Sequence, residues 1–185
     1  MAAGRTMIRL LISGGPGSGC TSTAQAVGER LGVPVLDSDS YFHKPTDPPF
    51  QEQYAPEERR SMLGAALDGQ ANWILSGSVA TWGLQALEPT HGVFLGVPRE
   101  VRLSRLLQRQ RSRFGARIDS GGDMEEEHRS FMEWAAEYEN RTGSGRNRDT
   151  DRTFLEAHCT DFLAVTKDMA LGEIVETIVD FLGMA

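Results

Sequence analysis

Four glycines fall within eight residues at the end of an apolar run, in Gly14-Gly15-Pro16-Gly17-Ser18-Gly19-Cys20-Thr21. Backbone N–H groups can be aimed at a phosphate only where no side chain blocks the approach, and a helix that starts directly afterwards adds the positive end of its dipole. Gly14, Gly15, Gly17 and Gly19 meet the first need, and the helix-forming run from Thr21 to Leu31 meets the second. The spacing follows G-x4-G-K-[ST] at every element except the lysine, where Cys20 stands. The loop, with Ser18, Cys20 and Thr21, is therefore a candidate cradle for the phosphates of ATP, and the Thr21 hydroxyl a candidate ligand for Mg²⁺. The missing ammonium removes a charge from the terminal phosphates, so binding is better supported than turnover.

Asp37 and Asp39 close the next short apolar run. If the chain is still extended there, both carboxylates share a face, one (Asp37) placed for Mg²⁺ and one (Asp39) for the proton of an attacking hydroxyl. The competing reading is an Asx turn that ends the strand. Seven arginines, Arg99, Arg102, Arg105, Arg109, Arg111, Arg113 and Arg117, follow Pro98 against one acid, Glu100, in a chain of net charge -7. Like charges repeated at helical spacing repel unless an anion lies among them. Phosphate is the natural anion, with Arg109, Arg113 and Arg117 as candidate contacts, and Arg146 and Arg148 as a second set. The internal alternative is pairing with Glu125, Glu126 and Glu127, on a helix that Asp123 and Glu126 would open with a capping box.

The elements that must position these residues alternate. Strands are expected at Met7 to Ser13, Pro34 to Leu36, Asn72 to Leu75, Gly92 to Val97 and Phe162 to Val165. Helices are expected after the glycine loop, from Pro56, from Pro98 to about Phe114, from about Asp123 to Tyr138, around Phe154-Leu155, and from Leu171 to Leu182. Such alternation implies right-handed crossovers and an α/β three-layer fold on a parallel five-stranded sheet, with ligands outside the carboxyl ends of the strands.

With 185 residues, 39% hydrophobic and 24% charged, the chain fits one globular domain, or one with a mobile flap. Its negative charge argues against a sequence-independent grip on nucleic acid. Two cysteines without finger or C-x-x-C spacing suit a reducing cytoplasm, and no stretch approaches membrane-spanning length. His158 and Cys159, being adjacent, make a poor metal pair, and His43 is a lone loop histidine. Trp73, Trp82 and Trp134 read as core or pocket wall.

Together these residues resemble the P-loop small-molecule kinases, the group containing adenylate and other nucleoside-monophosphate kinases, shikimate kinase and uridine kinase. Ile12 to Gly19 is similar to the adenylate-kinase loop, Asp37-Ser38-Asp39 to the strand-end D-x-D of shikimate kinase, and Leu75-Ser76-Gly77 to its glycine-bearing turn. Val93 to Pro98 with Arg105 and Arg109 is similar to the strand and helix that lead into the arginine-bearing lid. The resemblance implies a P-loop NTPase fold over residues 1–185 with a helical lid at about 109–135. It implies a Mg-ATP-dependent phosphotransferase acting on a small metabolite or nucleotide, as monomer or homodimer. Asp39, Arg113 and Arg117 would act in catalysis, Thr21 and Asp37 at the metal, and Arg109, Arg146 and Arg148 at the phosphates. At Cys20 the chain departs from the pattern, which implies a lysine-less subgroup in which Lys44 or a lid arginine supplies the charge. Two alternatives stay open: a decayed kinase that binds nucleotide without turning it over, and a dinucleotide-binding protein, since Asp37 lies twenty residues beyond Gly17.

Overall fold

The computed structural model of the chain describes residues 7–84 and 87–184. Its core is one parallel sheet of β1 (Arg9–Gly14), β2 (Val35–Asp37), β3 (Trp73–Ser76), β4 (His91–Leu95) and β5 (Asp161–Val165), in the order β2-β3-β1-β4-β5. β1 is central because Leu10, Leu11 and Ile12 are apolar on both faces, as a strand covered on both sides requires. The order differs from the 3-2-1-4-5-6 arrangement of dinucleotide-binding sheets, so the structure does not favour that alternative.

The pleat divides the core in two. Leu10, Ile12, Ile74, Val93 and Leu95 pack against α1 (Cys20–Leu31) and α7 (Leu171–Phe181) through Ala24, Val27, Ile174 and Ile178. Leu11, Leu36, Leu75 and Phe94 face the other way, onto Leu63 of α3 (Pro56–Leu67) and Leu155 of α6 (Arg148–His158). Each strand is thus buried on both sides, and the expected three-layer fold is what forms.

Outside these layers lie α2 (Asp39–Phe42), α4 (Arg99–Phe114), a 3₁₀ turn (Gly115–Ile118) and α5 (Glu125–Ala136). Phe114, Ile118 and Met124 make a small cluster of their own where α4 turns into α5. The expected capping box is absent: Met124 is the N-cap of α5, and Asp123 is bound to Arg117. The pairing expected of Glu125 to Glu127 is also redistributed. Asp119 takes Arg111 and Asp123 takes Arg117, because these acids of the turn lie nearer the end of α4, while Glu126 bonds Arg129 on its own helix. Among the described residues no helix is long and apolar enough to cross a membrane.

Candidate active site

All strands point their carboxyl ends the same way, so the β1 loop, Asp37 and Gly77 meet on one edge. The loop is shaped by close backbone contacts. A Cβ on Gly14 would lie 2.5 Å from the Leu95 carbonyl oxygen, and Gly17 combines φ of 83° with a Cβ position 2.5 Å from the Arg102 carbonyl oxygen, so both positions demand glycine. Ser18 N–H bonds the Gly15 carbonyl at 3.0 Å, which closes the turn and starts α1 at Cys20.

A cavity of about 450 Å³ runs from this loop outward. Its inner wall is Gly14 to Ser22 with Asp37, Asp39 and Arg146. Its outer wall includes Phe50, Arg109, Arg113, His128, Phe131 and Trp134. Thr21 Oγ donates to Asp37 Oδ2 at 2.9 Å, which joins the two residues expected at a metal. Burial, reinforced by the Asp39 charge, raises the Asp37 carboxyl above its usual range against the opposing hydrogen bonds.

Asp39 is not on an extended strand. The chain turns at Ser38, Asp39 opens α2, and its N–H donates to Asp37 Oδ1 at 3.0 Å, so the Asx turn is the arrangement that forms. Both carboxylates nevertheless line the same cavity, since the turn folds Asp39 back toward the loop.

Cys20 sits at the first position of α1 with Sγ 3.3 Å from Ser18 Oγ, and burial pushes its thiol up to about 11, so it is neutral. Lys44 does not replace the missing ammonium, because its Nζ lies 3.5 Å from Glu52 and the residue is outside the cavity wall. The arginines divide sharply. Arg109 and Arg113 line the cavity, and neither has an ion pair or side-chain hydrogen bond among the described residues. The surrounding walls lower the Arg109 guanidinium, and Arg113 beside it adds repulsion. Arg113 lies 4.9 Å from the ring centre of Phe50, a residue held at φ 73°.

Arg146 also lines the cavity, and its Nη2 donates to the Gly14 carbonyl at 3.1 Å. Arg117 and Arg148 are not brought there. Arg117 is held by both Asp123 oxygens, and Arg148 opens α6 behind the loop, near Gly15 and Tyr138.

Three groups were invisible as site residues in the sequence. Arg102, only 1% exposed, donates from Nε and Nη2 to Glu139 and from Nη1 to the Pro16 carbonyl at 2.7 Å, bracing the loop from behind. Tyr138 packs against Gly15 and donates to Asp151 Oδ2 at 2.7 Å. Asp151, also 1% exposed, accepts from Ser78 Oγ at 2.5 Å. One signal was present: Asp151 stands four residues before Leu155 on the buried stripe of α6, an acid where an apolar residue is the rule. His43 lines the cavity against Phe50, Trp134 forms part of its wall, and Trp73 and Trp82 are core.

Comparison with known proteins agrees with this geometry. The AAA domain family model matches residues 10–129. A Bacillus subtilis (strain 168) relative, "Uncharacterized protein YqaC", is 31% identical over 173 residues, covering 92% of this chain and 95% of its own. Among solved structures, a gluconokinase from Sinorhizobium meliloti 1021 superposes with a TM-score of 0.57 at 18% identity, over 97% of this chain and 93% of that one. A shikimate kinase from Bacteroides thetaiotaomicron gives 0.56 at 18%, over 95% and 98%. A deoxyadenosine kinase from M. mycoides gives 0.53 at 15%, over 95% and 99%. At these identities the solved structures speak for the fold. The chain belongs to the AAA domain family and is built on the fold of the P-loop small-molecule kinases.

Proposed function

We propose that the chain is a Mg-ATP-dependent phosphotransferase whose acceptor is a small molecule with an anionic group and a flat or apolar face. The observation that carries this reading is one cavity with a phosphate cradle at one end and two unpaired arginines among aromatic rings at the other. The Thr21–Asp37 pair fits a Mg²⁺ ion, which binds few protein oxygens and takes water and phosphate for the rest. When bound there the ion supplies charge neutralisation to the phosphates. No all-protein cluster of His, Cys, Asp and Glu is found among the described residues, in keeping with such a site.

In this reading the loop N–H groups hold the ATP phosphates, and Phe50 and Trp134 hold the acceptor body. Asp39 takes the proton from the acceptor hydroxyl as that oxygen bonds the γ-phosphorus. The bond from phosphorus to the bridging oxygen breaks, and ADP leaves. Arg109 and Arg113 neutralise the acceptor anion and the transferring group. Residues 109–135 act as the lid, since α4 and α5 carry the outer wall. A second reading, a nucleotide binder without turnover, is favoured by the neutral Cys20 thiol.

Calorimetric titration with ATP, with and without Mg²⁺, tests the binding half. Wild type is expected to bind more tightly with Mg²⁺, and Thr21→Val to lose that gain while keeping its thermal midpoint. Absence of binding at millimolar ATP would sink the reading. Binding without phosphate transfer to any anionic acceptor tried would select the second one.

A further inference from the structure

The glycine loop has no cation within its own sequence, because Cys20 occupies the lysine position and its thiol is neutral. Of the cations that line the cavity, Arg146 is the one bonded to the loop, through Nη2 and the Gly14 carbonyl at 3.1 Å. Its guanidinium is fixed on the far side. Nε is buried without a hydrogen-bond partner and lies 3.8 Å from Asp151 Oδ2, and the Trp134 ring centre is 5.7 Å away. Asp151 is in turn fixed by Ser78 and Tyr138.

A guanidinium has five N–H donors in a rigid fork. The Gly14 carbonyl is the only side-chain hydrogen-bond partner of Arg146 among the described residues, so Nη1 is left free in the wall of the cavity. The charge of Arg146 also reaches the Cys20 thiol, opposing the effect of its burial.

We propose that Arg146 supplies the phosphate-facing charge that position 20 lacks, binding the terminal phosphates of the nucleotide held by the glycine loop. This rests on the nucleotide-binding reading above. The competing role is local: a buried carboxylate requires a cation, and Arg146 serves Asp151 in that way too. The two roles differ in what Cys20→Lys does. If Arg146 works on phosphate, a cation restored on the loop makes it dispensable; if it only neutralises Asp151, Cys20→Lys changes nothing.

The test is calorimetric titration of four full-length proteins with Mg-ATP and with AMP: wild type, Arg146→Gln, Cys20→Lys and the double variant, each with its unliganded melting temperature. Arg146→Gln is expected to weaken ATP binding by roughly tenfold to a hundredfold, as for loss of a charge-assisted hydrogen bond. The loss should be much smaller for AMP, which lacks the terminal phosphates. In the Cys20→Lys background the same substitution should cost about threefold or less. A loss within about threefold in the wild-type background, or an equal loss in both backgrounds, overturns the proposal. If Arg146→Gln fails to fold because Asp151 is stranded, the same comparison is made in Asp151→Asn, where both charges are gone. Wild type that binds no ATP defeats the nucleotide reading itself, before any variant is compared.

Discussion

Arg102 and Arg113 stand on one helix, about three turns apart, and are used in opposite ways. Arg102 is enclosed, with the Glu139 carboxylate and the Pro16 carbonyl taking its donors. Arg113 faces the cavity over Phe50 with no acid paired to it among the described residues. The difference comes from what backs the helix. The first turns of α4 lie against the glycine loop, where a Gly17 Cβ would strike the Arg102 carbonyl, while the last turns run on into the small cluster of Phe114, Ile118 and Met124. A helix rich in arginine therefore braces the phosphate loop at one end and offers charge to a ligand at the other.

The strongest way to break this contrast is on turnover. Arg113→Ala is expected to lower kcat about a thousandfold or more, since arginines at a transferring phosphoryl group carry effects of that size, with the thermal midpoint nearly unchanged. Arg117→Ala, four residues on, should cost less than about tenfold, because Asp123 already holds that guanidinium outside the cavity. Equal losses in steady-state assays of the two variants would mean that the open cavity misreports which arginine meets the phosphate.

The next effect is on stability and belongs to the other end of the helix. Arg102→Met leaves the Glu139 carboxylate and the Pro16 carbonyl without their donor, a change expected to cost about 3 kcal/mol, since removing one partner of a buried pair strands the other. For a chain of this size the melting temperature, followed by circular dichroism, should fall by roughly 6 to 12 °C. An unchanged midpoint would remove the bracing role assigned to Arg102.

How much of this was legible in the sequence depended on the range of the interaction. The strands, the glycine loop and the helix after it depend on neighbouring residues and on apolar runs, so they fell where expected, with Gly32 at φ 66° ending α1. The Asp37–Asp39 geometry failed because extension was assumed one residue too far, and Ser38 already turns. The capping box failed because Asp123 had a better partner in Arg117, six residues away and beyond the reach of a local motif. Arg146 and Arg148 read alike, and only the fold separates them: the first points to Gly14, and the second starts a helix behind the loop. The Ser78–Asp151–Tyr138 network joins segments 73 and 13 residues apart, and no spacing rule finds it.

The smallest expected effect concerns the inner wall, where a carboxylate rather than an arginine is left short of a partner. Burial and the Asp39 charge raise the Asp37 carboxyl. The folded state then holds a proton that the unfolded chain has already released, so stability falls as pH rises from the ordinary carboxylate range to the raised value, and stays lower above it. Asp37→Asn removes that penalty while keeping an acceptor for the Asp39 N–H and a donor toward Thr21. Without ligand, the variant should melt about 1 to 3 °C above wild type near pH 7, a modest gain because solvent reaches part of the site. The gap should close on acidification toward about pH 4, where wild type is protonated as well. With Mg-ATP the order reverses, because wild type gains the cation and the variant does not. A variant that melts below wild type at every pH would mean that the Thr21–Asp37 bond outweighs desolvation, and that Asp37 is a structural cap for the loop rather than a site waiting for a cation.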